Sequence, residues 1–352
     1  MSIRKSIIKL LKIGIMSILV ISSTMTSAND NEKKILTLEK AIEGGINMED
    51  KGSVFSKQIV AYNEQLKMIQ NISDVQYYST KYSRDEAEQQ KKLIKDVVEY
   101  NVTVLYDTII MLQKQIHLDK INIDLKQKEL KQVEIKSKNG QLSQIDLSLK
   151  KNELDKAKSQ QIQDELTLEN YKTQFLNLTN INIDNYDGLE ENLKYEALEY
   201  TNGVGGLITK NVDYYMKNAE NFLAYKKDNI IGLAQAQTIT GPSLDVVYNI
   251  EAQVAESEYN IEQKKKSMIE GLRNCATELE KLQEKFKIES DSITSEKIKA
   301  DAIRIKYEKG YISELEMKQV EQSILTLEMA YEQDIYTYKH QKMILEKPWV
   351  KY

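Results

Sequence analysis

The sequence predicts an all-α protein made of two tandem pseudo-repeats, each a hairpin of long antiparallel helices that pack as a coiled coil. Only two prolines and 13 glycines interrupt the 352 residues, and 29% of the residues are charged against 7% aromatic. This balance suits long packed helices. Apolar residues recur at coiled-coil spacing in both halves. One turn signature also occurs twice, around Gly140 and around Gly310, at a constant offset of 170 residues.

Residues 1–28 have the composition of a secretory signal peptide. Four basic residues precede a short apolar stretch, and small side chains at Thr26-Ser27-Ala28 fit a cleavage site. The apolar stretch is short for a spanning helix, although a retained N-terminal anchor remains the alternative. Cleavage removes four cations and no acid, which changes the formal net charge from −5 to −9. We therefore expect an exported, acidic chain without a nucleic-acid partner.

The first helical repeat is predicted over residues 29–180. It should open with a short helix that starts after Thr37, a good N-cap residue, and stops at the Gly44-Gly45 pair. Residues 71–83 combine turn formers with three tyrosines and are predicted to form a loop.

Three longer helices complete the first repeat. We expect them over 53–70, over 84–138 and, after a turn, over 143–178. At about 1.5 Å per residue, the helix over 84–138 should be roughly 80 Å long. Its seam keeps the 4-3-4-3-4 spacing of a coiled coil at Val98, Val102, Leu105, Ile109, Leu112 and Ile116.

A linker rich in asparagine and glycine, residues 181–206, separates this repeat from the second, 207–352. The second repeat should open with a helix at Thr209, the counterpart of Thr37, and a tight connection is expected over 238–243. A very long helix and a last helix that ends at Pro348 should follow. The seam of the very long helix consists of Met268, Leu272, Cys275, Leu279, Leu282 and Phe286.

The two turns carry the same sequence of signals. In each, a glycine supplies the left-handed conformation that closes a helix, and a serine three residues later acts as the next N-cap. An acid three residues after the serine completes a capping box. The residues are Gly140, Ser143 and Asp146 in the first turn and Gly310, Ser313 and Glu316 in the second.

Two stretches have the form of a known family's motifs. Leu36-Thr37-Leu38-Glu39-Lys40-Ala41-Ile42 is similar to that family's N-terminal start. Lys306-Tyr307-Glu308-Lys309-Gly310-Tyr311-Ile312-Ser313-Glu314-Leu315-Glu316 is similar to its commonest signature, a Tyr-x-x-Gly followed by a hydrophobic residue, serine and an acid. On these motifs and the repeated turns, the chain after residue 28 resembles the TolC-like outer membrane efflux protein family.

The resemblance implies a homo-oligomer, expected to be a trimer, in which each chain contributes two helical hairpins to one tube. It also implies that the turns are tips that dock a membrane-fusion-type adaptor and, with it, an ABC or RND export pump. Asp146 and Glu316 are implied as an acidic constriction, although a capping box needs the same acids without any partner. The implied adaptor-docking residues are Gly140, Leu142, Ser143, Gly310, Ile312 and Ser313.

Family members insert a pair of membrane β-strands between the second and third helices of each repeat. A membrane strand needs about 9–11 residues, whereas 71–83 and 238–243 have room only for short loops. The sequence therefore predicts that these strands are reduced to loops and that outer-membrane insertion is doubtful. The alternatives are other attachment in the cell envelope, the cell wall, or the extracellular space.

Two functions remain open. The first is an efflux or export component; the second is a secreted or wall-associated coiled-coil spacer or interaction protein without channel activity. An enzyme is not expected, because the sequence has no nucleophile elbow, P-loop or dinucleotide fingerprint. His117 and His340 lack metal-ligand spacing, and the single cysteine, Cys275, fits a buried seam position. No metal or cofactor is therefore predicted.

Overall fold

Two helices of equal length dominate the fold: Asp74–Lys138 and Leu244–Glu308. After each of them the chain reverses direction, and the next helix completes a hairpin. The predicted signal peptide, 1–28, and the predicted connection, 238–243, lie outside the residues that the structure describes. This computed structural model describes residues 34–70, 73–198, 203–237 and 244–352.

The described residues contain eight α-helices and two short strands. The first repeat consists of β1 (Ile35–Leu36), α1 (Leu38–Met48), α2 (Lys51–Ile69), α3 (Asp74–Lys138) and α4 (Gln144–Thr179). A 3-10 turn (Ile183–Asn185) and β2 (Gly188–Leu189) follow. The second repeat consists of α5 (Gly203–Asp228), α6 (Ile230–Ala236), α7 (Leu244–Glu308), α8 (Glu314–Glu346) and a last 3-10 turn (Pro348–Val350).

The four long helices lie side by side in the order α4–α3–α8–α7, which we call the helical row. This order follows because α3 packs on both α4 and α8, and α8 packs on both α3 and α7. Helices α3 and α7 each have 65 residues and are related at both ends by the 170-residue offset. At about 1.5 Å per residue, each is roughly 100 Å long. The predicted all-α fold of two long helical hairpins is confirmed.

Each repeat has its own hydrophobic core. The first core joins α1, α3 and α4, and the second joins α5, α7 and α8. The predicted seam positions other than Leu112 and Ile116 line these cores, and Leu272 and Leu279 are fully buried. Burial raises the pKa of Cys275 to about 11, as expected for a thiol that serves as a small core residue.

The first repeat is tied to the linker through a parallel strand pair. Ile35 pairs with Gly188, and Leu36 pairs with Leu189. The buried Tyr106 of α3 donates its hydroxyl hydrogen to the carbonyl oxygen of Leu36 at 2.6 Å. This hydroxyl connects the long helix to both chain segments, because its oxygen also lies 3.1 Å from a carbonyl oxygen just after β2, that of residue 190.

The Gly44-Gly45 pair does not end the first helix, which corrects the sequence prediction; α1 continues to Met48. A Cβ on Gly45 would lie 2.7 Å from Val102 Cγ2. A Cβ on Gly44 would lie 2.8 Å from the carbonyl oxygen of Thr179. The two glycines therefore allow α1 to approach α3 and α4 closely rather than acting as a stop signal.

The predicted loop over 71–83 is wrong for residues 74–83, which form the start of α3. Ser73 caps this helix by accepting a hydrogen bond from the backbone N–H of Gln76 at 3.4 Å. Two of the three tyrosines in this stretch stack on aromatic rings of α5 instead. The stacked rings are Tyr78 with Tyr225, at a centroid distance of 4.4 Å, and Tyr82 with Phe222, at 4.1 Å.

The second repeat also begins earlier than predicted. Helix α5 starts at Gly203, which has a φ of +70°, rather than at Thr209. Thr209 lies inside the helix and donates its hydroxyl hydrogen to the carbonyl oxygen of Gly205 at 3.1 Å, so it is not the counterpart of the cap Thr37. A break at Asn229 separates α5 from α6, within a stretch predicted as one helix.

Two tyrosines of the first core provide a matched test of its hydrogen bonding. Tyr106→Phe should lower the free energy of unfolding by about 1 kcal/mol, since it removes a buried hydrogen bond. Tyr336 is equally buried, but among the described residues its hydroxyl has no hydrogen-bond partner. Tyr336→Phe should therefore be neutral or stabilising. Urea unfolding of both variants checks this, and equal losses would contradict it.

Candidate functional site: the two helical tips

The glycine of each turn closes its helix as predicted. Gly140 and Gly310 have φ values of +72° and +75°. The Gly140 N–H bonds the carbonyl of Ser137 at 3.0 Å, and the next N–H, of Gln141, bonds that of Lys136 at 2.9 Å. The second turn repeats this pair of bonds at +170, with 2.8 Å and 2.9 Å. These are the two hydrogen bonds of a Schellman motif, so both helices end in the same way.

Both predicted capping boxes are present. The Ser143 hydroxyl oxygen accepts from the Asp146 N–H at 3.1 Å, and the Ser143 N–H donates to the Asp146 carboxylate at 3.0 Å. In the second turn, the corresponding distances between Ser313 and Glu316 are 3.2 Å and 2.8 Å. Each acid is thus bonded to the serine of its own turn, which stabilises the first turn of α4 or α8.

The tips expose apolar side chains beside these polar caps. Tyr311 is 77% exposed and Ile145 is 72% exposed, whereas Leu142 and Ile312 are half-buried. Each turn therefore has one large apolar side chain that is mostly exposed and one that is half-buried. The sequence prediction named Leu142 and Ile312 but missed Ile145 and Tyr311. The available signal was their position: Tyr311 directly follows the capping Gly310, and Ile145 directly follows Gln144, the first residue of α4.

A charged cluster holds the two tips side by side. Lys128 on α3 lies 2.9 Å from Glu314 and 3.2 Å from Asp124, measured between Nζ and carboxylate oxygen. Lys318 on α8 lies 3.2 Å from Asp124 and 3.3 Å from Glu314. The two lysines hold the pKa of Asp124 and that of Glu314 below the usual range. These four charges alternate in sign and join the first hairpin to the second.

A second cluster of the same kind joins α3 to α4. Lys126 and Lys150 contact Glu129 and Glu153 at distances between 2.9 and 3.4 Å. Gln319 of α8 donates to Glu129 at 3.0 Å, so this cluster also reaches the second hairpin. The sequence contains the i, i+3 and i, i+4 spacings within each helix. The ion pairs between different helices form only when the helices pack together, and sequence reasoning missed them.

Other polar candidates from the sequence lie away from the tips. His117 is exposed, and His340 places its Nε2 2.9 Å from the carboxylate of the buried Asp107. Among the described residues, no three His, Cys, Asp or Glu side chains are grouped as a metal site. None of the helices in the described part of the chain has the length and apolar character needed to cross a membrane.

Solved outer-membrane channels share this architecture. The CmeC channel of Campylobacter jejuni matches at a TM-score of 0.64 and 11% identity, over 94% of this chain and 93% of its own. The TolC-like fold of long helical hairpins is therefore confirmed. This chain has the fold of the TolC-like channels.

Two further solved channels share the fold. CusC, which forms a transmembrane channel, matches at a TM-score of 0.62 and 11% identity, over 92% of this chain and 94% of its own. The open state of the MtrE outer membrane channel of Neisseria gonorrhoeae matches at 0.52 and 13%, over 94% and 95%. No protein-family model matches the sequence. No curated protein matches it.

The left-handed glycines of the TolC-like tips can be tested against a glycine with ordinary backbone angles. Gly310→Ala should cost about 1–2 kcal/mol of local stability, because a Cβ is strained at positive φ. Gly310→Asn should cost less. Gly52→Ala in α2 should be neutral or stabilising, since that Cβ meets its nearest neighbour at 4.0 Å. Amide exchange of residues 306–317 measures the effect, and an unchanged rate in Gly310→Ala would contradict it.

The capping acids give the tips a pH dependence of defined sign. Bonds from the backbone and hydroxyl of Ser313 hold the pKa of Glu316 below its usual range. A carboxyl group whose pKa is lower in the folded state than in the unfolded state stabilises the fold at pH values above its unfolded pKa. This stabilisation is lost as the pH falls through the folded-state pKa.

Amide exchange at 313–317, corrected for intrinsic rate, should therefore quicken between about pH 7 and about pH 3. Glu316→Gln keeps the cap geometry and should remove most of this change. A variant with the same pH profile as the native chain would show that another group is responsible.

Proposed function

We propose that the protein is an exported efflux or export component of the cell envelope. In this proposal several copies form a helical tube, and the tips dock a membrane-fusion-type adaptor that works with an ABC or RND pump. The single observation that carries the proposal is the pair of equivalent, exposed tips at the ends of hairpins whose fold is that of outer-membrane channels. Among the residues that the structure describes, none other than the chain neighbours lies within 4 Å of a Cβ built on Gly140 or Gly310.

The helical row supports self-association because its two edge helices, α4 and α7, are only partly covered by the shorter helices of the described chain. On α4, the face opposite the α3 seam exposes four aliphatic side chains. On α7, the face opposite the α8 seam exposes three isoleucines. The residues are Ile145, Leu149, Ile162 and Leu166 on α4 and Ile288, Ile298 and Ile305 on α7. Ile305 is 52% exposed, and the other six are between 56% and 72% exposed.

Two different edges that are both apolar favour a head-to-tail contact between copies. Such a contact joins the α4 edge of one chain to the α7 edge of the next. It closes into a ring when the rotation per subunit divides a full turn. The row would then become the wall of a tube, and we propose three chains per ring on the resemblance noted above.

The proposed docking residues are Gly140, Leu142, Ser143, Gly310, Ile312 and Ser313. In support, the half-buried Leu142 and Ile312 lie next to exposed Ile145 and Tyr311, so each tip offers an apolar surface with a serine cap beside it. The lysine and acid cluster around Lys128 and Glu314 fixes the spacing of the two tips. A helical adaptor hairpin could therefore contact two similar surfaces at once.

Asp146 and Glu316 are proposed to line an acidic constriction. Both carboxylates are at the surface, and their capping bonds keep them ionised at neutral pH. In a closed ring each chain would add two such charges at one level. Capping alone also accounts for these acids. Charge reversal at both positions would reveal a role in a constriction only in an assembled tube.

The oligomeric state is the first test of the proposal. Light scattering should give a mass of several chains for the native protein and of one chain for Ile298→Lys, since the substitution places a charge on the α7 edge. Val60→Lys is the matched control, because Val60 is 62% exposed on α2, outside both edges. A native monomer at micromolar concentration would overturn the tube and favour the spacer or interaction protein.

The adaptor is tested by photo-cross-linking in the cells that make the protein. A photoreactive residue at position 142 or 312 should capture a helical-hairpin adaptor, and one at position 60 should not. Cross-links only between copies of this chain, or only to wall components, would contradict the export function.

A further inference from the structure

Each hairpin holds a pair of acidic side chains that face each other across its seam. Asp119 on α3 interacts with Asp164 on α4, and Glu289 on α7 interacts with Asp334 on α8. The two pairs are related by the same offset of 170 as the turns. Each lies roughly 30 Å from the glycine of its turn, at about 1.5 Å per residue.

In the first pair, Asp119 is buried and Asp164 is half-buried, and one oxygen of Asp119 lacks a hydrogen-bond donor among the described residues. Asp119 is 7% exposed, and one of its oxygens accepts from the side-chain amide of Gln115 at 2.8 Å. Within the described residues its other oxygen, Oδ2, has no partner. Asp164 accepts from the Gln160 amide at 3.1 Å. Two ionised carboxylates cannot bond each other, whereas a pair with one shared proton can.

Burial and the neighbouring carboxylate act on this pair in the same direction. Burial is the main cause that raises the pKa of Asp119, and Asp164 raises it further, while the Gln115 amide opposes the shift. The groups that face Asp119 are thus one amide on its own helix and one acid on α4. No cation is among them in the described part of the chain.

The second pair differs at one position. Lys285 stands where the first hairpin has Gln115, and its ammonium bridges Asp334 and Glu289, the latter at 3.2 Å. Burial still raises the pKa of Glu289, but Lys285 opposes this shift. Burial raises the pKa of the Tyr331 phenol of α8, and Tyr195 and Glu289 add to this shift. The second pair therefore has a resident counter-charge.

We propose that Asp119 and Asp164 form a proton-sharing pair that makes the packing of α3 on α4 depend on pH, and that Lys285 weakens the same response in the second hairpin. Acid supplies the missing proton and tightens the first hairpin. Rising pH leaves two facing carboxylates and loosens it. This switch would act more strongly on the first hairpin of each chain than on the second, and it does not require the function proposed above.

The expected pH dependence has the opposite sign from that of the tip acids. A carboxyl whose pKa is raised by folding stabilises the fold fully below its unfolded pKa, about 3.9 for aspartate. That contribution is lost as the pH rises through the raised, folded value. Replacing Asp119 should therefore have little effect in acid and should stabilise the hairpin at neutral pH.

Urea unfolding of the native chain, Asp119→Asn and Gln115→Lys tests the proposal. At about pH 7.5 both variants should lower the unfolding equilibrium constant several-fold, and near pH 4 by much less. Lys285→Gln is the reciprocal control and should give the second hairpin the same pH dependence. Equal effects of Asp119→Asn at both pH values would overturn the proposal.

A direct titration keeps the proposal testable if the variants fold poorly. The carboxyl carbon of Asp119, observed by carbon-13 NMR in the native chain, should titrate with a midpoint above about 3.9. Its shift should also change when Asp164 is replaced by asparagine. A midpoint at or below the ordinary aspartate value would exclude the shared proton.

Discussion

The coiled-coil seam of each hairpin is the interaction on which the rest of the structure depends. An isolated helix gains little from propensity alone, so a helix of roughly 100 Å needs a partner along its whole length. Apolar residues at an average spacing of 3.5 keep one stripe of the helix facing that partner. In α7 this stripe runs from Met268 through Phe286 and continues with Ile293 and Ala300, all buried. The antiparallel pair is therefore the structural unit of the fold.

Polar contacts then fix how two such units lie against each other. The α3–α8 interface is held by the Lys128–Glu314 cluster near the tips and by His340 against the buried Asp107 farther along. Exposed ion pairs add little stability singly, but they disfavour wrong registers because like charges would meet. Within the resulting row, α4 and α7 each have only one neighbour among the four long helices, while the shorter helices cover part of α4 and α7. The exposed aliphatic side chains on its two edges are the physical basis of the proposed assembly.

Local signals were predictable from the sequence, and tertiary contacts were not. The prediction of turns at Gly140 and Gly310 was correct because a left-handed glycine and a capping box are encoded within a few residues. The Gly44-Gly45 pair and the tyrosines near Tyr78 were misread, because their roles depend on α4 and α5. The docking and constriction roles of the tips remain proposals, since a cap and a docking surface use the same serine and acid.

The two repeats share a scaffold but differ in the polar layer of their seams. An acidic pair at a helix seam contributes little stability, so its presence at equivalent places in both hairpins needs another explanation, such as fixing register. A register role would be served equally well in both. The exchange of Gln115 for Lys285 instead changes the charge balance of one pair only. In a closed ring, hairpins with and without the counter-charge would alternate, so a change of pH would act more strongly on every second hairpin.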